Sequence, residues 1–248
     1  MRFFVGLHQP SDAKNFSAAF ISVNRIRNRK SAFIVGDWIM DSGAFTEIAT
    51  HGHYRHGVEE YAEQIRRWKS CGNMIAAVAQ DYMCEPWMLE KTGLTVADHQ
   101  RLTIERYDAL VACDTGAYIM PVLQGYAAAD YVAHIRAYGS RLAFGAYVGV
   151  GSVCKRNGNP AAILRVLDAI KTERPDLRLH GFGLKTTALN CAPIIAQLHS
   201  ADSMAWSFAA RKAGGNPNDW REAKRFETRI ENGRGRRAAI QTEWEFAA

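Results

Sequence analysis

Asp41, Asp81, Gln124 and Asp202 each sit at the edge of a short apolar run in a chain of 248 residues. Asp41 closes "DWIMD", Asp81 closes "NMIAAVAQD", Gln124 ends "AYIMPVLQ", and Asp202 opens "DSMAWSF". A single aspartate at such a place is commonly a turn residue or a helix cap. As a set they can do more. Two carboxylates on opposite sides of a sugar carbon suit glycosidic substitution, one attacking and one moving protons on the leaving and incoming groups. A third carboxylate can accept two N–H donors from the Watson–Crick edge of guanine. The runs "YVGVGS", with Gly149, Val150 and Gly151, and "HGFGLK", with Gly181, Gly183 and Lys185, end in glycine-rich stretches. Glycine lets backbone N–H groups approach a base oxygen closely. Neighbouring carboxylates repel, so they need a donor-rich or cationic substrate, or a metal. His180 is the one clear histidine candidate at a strand end, so we expect neither a metal nor any other cofactor.

These residues need a frame that brings them together. The apolar runs are "RFFVGLH", "SAFIVGDWIMDSG", "NMIAAVAQD", "AYIMPVLQG", "LAFGAYVGVGS", "LRLHGFGLK" and "DSMAWSF". Between them lie "VEEYAEQIRRWKSC", "TVADHQRLTIERYDALVAC", "AADYVAHIRAYG", "PAAILRVLDAIKTE" and "TALNCAPIIAQLHS", whose apolar positions recur three and four apart. In one of them Ile163, Val166, Leu167 and Ile170 share a face, with Pro160 at a first-turn position. Alternating strands and helices predict an α/β chain of parallel units. Their number predicts a (β/α)8 TIM-type barrel with an irregular or incomplete eighth unit, for which "RRAAIQTEWEF" is the strand candidate. An open doubly wound sheet is the alternative, but no G-x-G-x-x-G follows the first run. In such a barrel chemistry sits at the C-terminal strand ends, so the polar residues above converge on one pocket. We read residues 1–248 as one domain with a basic helical segment at about 212–240.

The formal charge is +6 and 48% of residues are hydrophobic, enough for one buried core. No apolar run nears the roughly 18 residues that span a bilayer. The opening "MRFFVGLHQPSD" does not read as a secretory signal, so we expect a soluble, cytoplasmic protein without a membrane partner. Its five cysteines include no C-x-x-C pair and read as free thiols. Arg25, Arg27, Arg29 and Lys30 form one basic knot. Arg211, Lys212, Arg221, Lys224, Arg225, Arg229, Arg234, Arg236 and Arg237 crowd the C-terminal part. Clusters of this kind suit a polyanion such as nucleic acid. Interleaved Glu222, Glu227 and Glu231 fit a solvated helix face equally well.

At this point the sequence resembles a known family. "DSGAF" is similar to the Asp-Ser-Gly-Gly-Phe/Tyr motif of tRNA-guanine transglycosylases. "VLQGY", "YVGVGS" and "HGFGLK" resemble that family's Val-Gln-Gly, Ile-Gly-Gly and Met-Gly-Val-Gly-Lys segments in the same order. "ADSMAWSFAARKAG" resembles the archaeal-type segment that carries the nucleophile. The resemblance covers about residues 35 to 215. It implies a (β/α)8 enzyme that exchanges guanine for a 7-deazaguanine, such as preQ0, through a covalent aspartyl intermediate. By position it implies Asp202 as nucleophile and Asp41 as general acid/base. Phe45 would stack on the base, Asp81 and Gln124 would read its edge, and Gly149 and Val150 would offer backbone groups. Ser42 and Gly43 would shape the pocket floor, and Gly151, Gly181 and Lys185 would complete its lining.

The departures from the pattern carry information. The cysteine- and histidine-bearing zinc subdomain of the tRNA enzymes is absent, and "GGFQ" has become "GAFT", changing Ala44 and Thr46. A short, zinc-free chain most resembles the deazapurine DNA-modification branch, found in phages and in bacterial modification islands. That implies DNA as substrate, a guanine-exchanging pentosyltransferase activity, and further modification proteins as partners. Arg25, Arg27, Arg29, Lys30, Arg211, Lys212, Arg221, Lys224 and Arg225 would then grip the DNA. Two alternatives stay open: a tRNA substrate, and a catalytically inactive barrel that only binds nucleic acid. The second gains if Arg211 is aligned with the bacterial-type motif, which puts Ala205 at the nucleophile position.

Overall fold

The computed structural model describes residues 1–156 and 159–245, with side chains described through 233 apart from 155. Its strands are β1 Arg2–Gly6, β2 Ala18–Ser22, β3 Asp37–Asp41, β4 Asn73–Val78, β5 Ile119–Met120, β6 Val122–Leu123, β7 Tyr147–Val150, β8 Arg178–Gly181 and β9 Ser200–Ser203. Among the described residues these nine form one sheet in the order β5-β4-β3-β2-β1-β9-β8-β7-β6, every pairing parallel. The two edges of that sheet, β5 and β6, are halves of one segment split at Pro121. Proline has no N–H to give a ladder, so the segment changes partner there. β5 pairs with β4 and β6 with β7, while the Pro121 carbonyl accepts from Gly149 N–H at 2.9 Å. The sheet therefore rolls up into a nearly closed barrel.

Helices cover it from β3 onward. They are α1 Ala44–His51, α2 Val58–Trp68, α3 Pro86–Thr92, α4 Val96–Ala112, α5 Ala128–Tyr138, α6 Pro160–Glu173, α7 Thr186–Leu189, α8 Ala192–Gln197, α9 Ala205–Lys212 and α10 Trp220–Glu245. α6 shows why these segments are helical. Asn159 caps it by accepting from Ala162 N–H at 3.2 Å, Pro160 occupies the first turn, and Ile163, Val166, Leu167 and Ile170 are buried along one face.

The strand period of two divides the apolar residues into two cores. Phe4, Ile39, Val78, Met120, Val122 and Tyr147 fill the barrel interior. Val5, Trp38, Met40, Leu123 and Val148 point outward, against Tyr61, Ile65, Tyr131 and Leu167 of the helices. The same alternation decides which polar residues face inward at the mouth. Two steps beyond inward Ile39 lies Asp41, and two beyond Val122 lies Gln124. Asp202 pairs in register with inward Phe4.

The expected eighth strand is misplaced in the sequence reading. "RRAAIQTEWEF" continues α10 as far as Glu245, and its last residue lies outside the described residues. The strand that was missed is β2, five residues long, flanked by Ser17 and joined to its neighbours by short 3₁₀ turns rather than helices. The long run "SAFIVGDWIMDSG" supplies only β3. Asp202 lies near the end of β9 rather than opening a strand, because β9 starts at Ser200 and "AWSF" already belongs to α9.

Candidate active site

Asp41 ends β3, and its carboxylate accepts from Gly43 N–H at 3.1 Å. Its register partner across the β2–β3 ladder is Ser22, whose hydroxyl also bonds the carboxylate. Burial pushes the Asp41 carboxyl up to about 6 against the pull of these hydrogen bonds, and the charge of Asp202 adds to the rise. Asp202 is buried, with Oδ1 accepting from Gly183 N–H at 2.9 Å and facing His180 Nε2 at 3.2 Å.

Asp81 lies beyond the end of β4 and is buried. Burial, together with the charges of Asp41 and Glu85, raises its carboxyl to about 7, although Gln124 donates an amide hydrogen to it. Gln124 is wholly buried and held at every polar group. Its N–H donates to His134 Nδ1 at 2.9 Å and its carbonyl accepts from Gln100 at 2.7 Å. Its amide oxygen faces Ser152 Oγ at 2.8 Å. Ser152 holds a left-handed backbone, φ 54°, and its hydroxyl also meets Cys84 N–H and buried Glu85, each at 3.0 Å. Tyr54 commits its hydroxyl proton to the Asp81 carbonyl at 2.8 Å. The nearby Ser42 is buried and faces the Tyr54 hydroxyl.

The charge of Asp202 thus reaches Asp41, that of Asp41 reaches Asp81, and Gln124 stands against Asp81. The glycines have more local reasons. Gly43 has φ 75°, and a Cβ there would fall 2.4 Å from the Asn24 amide. A Cβ on Gly149 would strike Phe182, and one on Gly151 would lie 2.1 Å from Gln124 Nε2. Gly149 and Gly151 give their N–H groups to the carbonyls of Pro121 and Leu123, so these amides close the barrel rather than face a ligand. Val150, between them, pairs with Gly181 and turns its side chain to the outer core. Gly181 packs on Leu184 and Leu198. Lys185 is exposed and precedes α7. Phe45 stands on the rim, 47% exposed, edge-on to Trp87 at 5.9 Å.

The basic residues divide. Arg25 follows β2 and donates to His8 Nδ1 at 3.2 Å, and His8 in turn meets Ser207 at 2.8 Å. Burial and the charges of Arg25 and Arg211 lower the His8 pKa, which marks a positive rim over neighbouring β1, β2 and β9. Lys212 lies over the ring of exposed Phe208. Arg27 pairs with Glu60, Arg29 bonds the carbonyl of Ser31, and Lys30 is exposed. Arg221, Lys224 and Arg225 sit on α10 and pair with Asp219, Glu227 and Glu222. α10 packs on β1 and α9 through Ala223, Phe226 and Ile230, so its charges line the outer wall. The side chains of Arg234, Arg236 and Arg237 lie outside the described residues.

Sequence reasoning passed over Ser22, Tyr54, Glu85, Ser152 and His8, and weighed His180 only as a metal ligand. Among the described residues no group of three His, Cys, Asp or Glu is placed to hold a metal ion. No helix among them is long and apolar enough to cross a membrane.

Against known proteins, no curated sequence matches the chain. The model of one protein family, described as DpdA, DeoxyPurine in DNA protein A, matches residues 1–223, a span that runs from β1 into α10. The chain with this barrel and this carboxylate-lined mouth belongs to the DpdA family.

Proposed function

We propose that this chain is a DNA-guanine transglycosylase, replacing guanine in DNA with a 7-deazaguanine such as preQ0. Family membership supports DNA and a deazapurine as the two substrates. The observation that carries the chemistry is the pair Asp41 and Asp202, two inward carboxylates at the mouth, of which Asp41 is held at about 6 by burial and by the charge of the other. A carboxyl near 6 can both give and take a proton around neutral pH.

Positive groups at the rim, Arg25 and Arg211 among them, hold DNA phosphates, and the target nucleotide turns out of the stack at a cost of a few kcal/mol. An Asp202 oxygen attacks C1′, and the C1′–N9 bond breaks with its electron pair passing to guanine. Protonated Asp41 supplies the proton that guanine takes up. The incoming base binds in the same slot and gives its N9 proton to the Asp41 carboxylate. N9 then attacks C1′, the ester to Asp202 breaks, and two inversions retain configuration. Asp81 accepts N–H donors from the base edge, with Gln124 beside it. Phe45 closes the slot on the rim side. The residues named need no metal or redox partner for these steps. The protein works in the cytoplasm of a bacterium or of a phage-infected host, alongside further modification proteins.

Guanine release from labelled DNA and from tRNA, with 7-deazaguanines added, tests this reading. Release from DNA that disappears in Asp202→Ala and Asp41→Ala supports it. Release from tRNA alone would move the activity to the sister substrate, and unimpaired release by Asp202→Ala would overturn the mechanism.

A further inference from the structure

We propose that His180 is the positioning residue for the attacking carboxylate of Asp202, set in a hydrogen-bonded chain that runs down the barrel interior. The proposal rests on the reading of Asp202 as nucleophile. No step above uses His180, yet its side chain is wholly buried at the centre of the molecule. An imidazole is not placed there without partners, since burial of an unpaired polar group is costly.

His180 lies on β8, in register with Gly149 on one side and Ser200 on the other, so the strand period turns it inward. Nε2 stands 3.2 Å from Asp202 Oδ1. Nδ1 stands 2.7 Å from Ser200 Oγ and 3.3 Å from the Tyr147 hydroxyl. Ser200 and Tyr147 also bond one another. The ring is clamped by stacking on Phe20 at 5.6 Å and by the edges of Phe4 and Phe182. Among the described residues, other titratable or charged groups about this chain include His199, Arg178 and Arg2, next to Tyr147 and Ser200, and Asp41, near Asp202.

A carboxylate accepts and does not donate, so the proton between the pair belongs to Nε2. Nδ1 then accepts a hydrogen bond from the Ser200 hydroxyl, and Tyr147 donates to Ser200. This order fixes one tautomer of His180 and turns its N–H at Asp202. Gly183 N–H meets the same Oδ1. Two donors on one oxygen stop the carboxylate from rotating and present Oδ2 to the sugar carbon. Orientation of this kind is worth a large rate factor when the attacking atom must be in line.

Two amide substitutions separate the halves of the chain. His180→Gln puts an amide nitrogen near the place of Nε2 and keeps the donor to Asp202. His180→Asn puts its amide oxygen near the place of Nδ1, where it accepts from Ser200, and loses the donor to Asp202. The expected result is a fall of about 10- to 100-fold in single-turnover guanine release for His180→Asn. DNA affinity should stay unchanged and His180→Gln should be close to wild type. Equal loss in both folded variants, or none in His180→Asn, would overturn the proposal. A second readout does not depend on exchange. Side-chain nitrogen NMR of the wild-type protein should show His180 as the Nε2–H tautomer, with a resonance that moves in Asp202→Ala. The Nδ1–H tautomer would overturn the proposal even if the protein released no guanine, an outcome that would refute the transglycosylase reading instead.

Discussion

Gln124 donates an amide hydrogen to the carboxylate of Asp81, joining two strand ends that are 43 positions apart in the chain. Neither side chain is free to turn away. Ser152 backs the amide oxygen of Gln124, and burial holds Asp81 in place. The bond depends on an absence at Gly151, where a Cβ would fall 2.1 Å from Gln124 Nε2. Gly151→Ala is therefore expected to push the amide off Asp81. Affinity for the incoming base should drop about 10-fold or more, with a stability loss of about 1–3 kcal/mol. Calorimetric titration of the free base against both proteins checks this.

The raised carboxyls of Asp41 and Asp81 make stability depend on pH. Their folded values, about 6 and about 7, lie above the ordinary value of 3.8, so the folded state binds these protons more tightly than the unfolded state. That contribution is complete below about pH 4 and is lost as the pH rises through 7. Asp81→Asn removes the larger part, on the order of 2–4 kcal/mol. Its melting temperature should fall less than that of the wild type between pH 5 and pH 8. An equal fall would assign the penalty elsewhere.

In the proposed mechanism guanine departs with Asp41 in its acid form. Single-turnover release should therefore decline above about pH 6, the value to which burial lifts this carboxyl. In Asp41→Asn the decline should vanish and the rate fall by about 10²–10⁴. Rapid-quench measurement of released guanine from pH 5 to pH 9 reads both effects.

The rim and the outer wall should behave differently toward DNA. Arg25 and Arg211 act together on His8 beside the mouth, whereas Arg225 is paired with Glu222 on α10. Arg25→Ala and Arg211→Ala should each weaken binding and reduce the slope of log affinity against log salt by about 0.7–0.9. Arg225→Ala should leave both nearly unchanged. Fluorescence anisotropy at several salt concentrations separates the two surfaces.

Much of this frame is legible without coordinates, because strand and helix periods write directly into the order of apolar residues. α6 is an example, with cap, proline and apolar face all local. β2 was not legible: five residues between short turns carry no helix to announce a unit. Asp41, Asp81 and Gln124 were legible as ends of runs, and Asp202 as the start of one. Ser152 and Glu85 were not, since they act through loops that meet only when β4 and β7 are wrapped around the same mouth. His180 was visible as a histidine at a strand end, but its partners Ser200 and Tyr147 lie on neighbouring strands that only the closed sheet brings together. The basic residues could not be sorted by sequence for a related reason. Sequence shows charge, and only the fold shows that Arg27 and Arg225 are already paired.

The most direct test of the central claim is a search for the covalent adduct. Wild-type protein would be mixed with DNA and an incoming base whose ring position 9 is carbon, which fills the slot but cannot attack C1′. After denaturation, a protein–DNA species should persist, peptide mass mapping should place the linkage on Asp202, and Asp202→Asn should give none. Guanine exchange without any such species, or a linkage on Asp41 instead, would contradict the assignment of these two carboxylates.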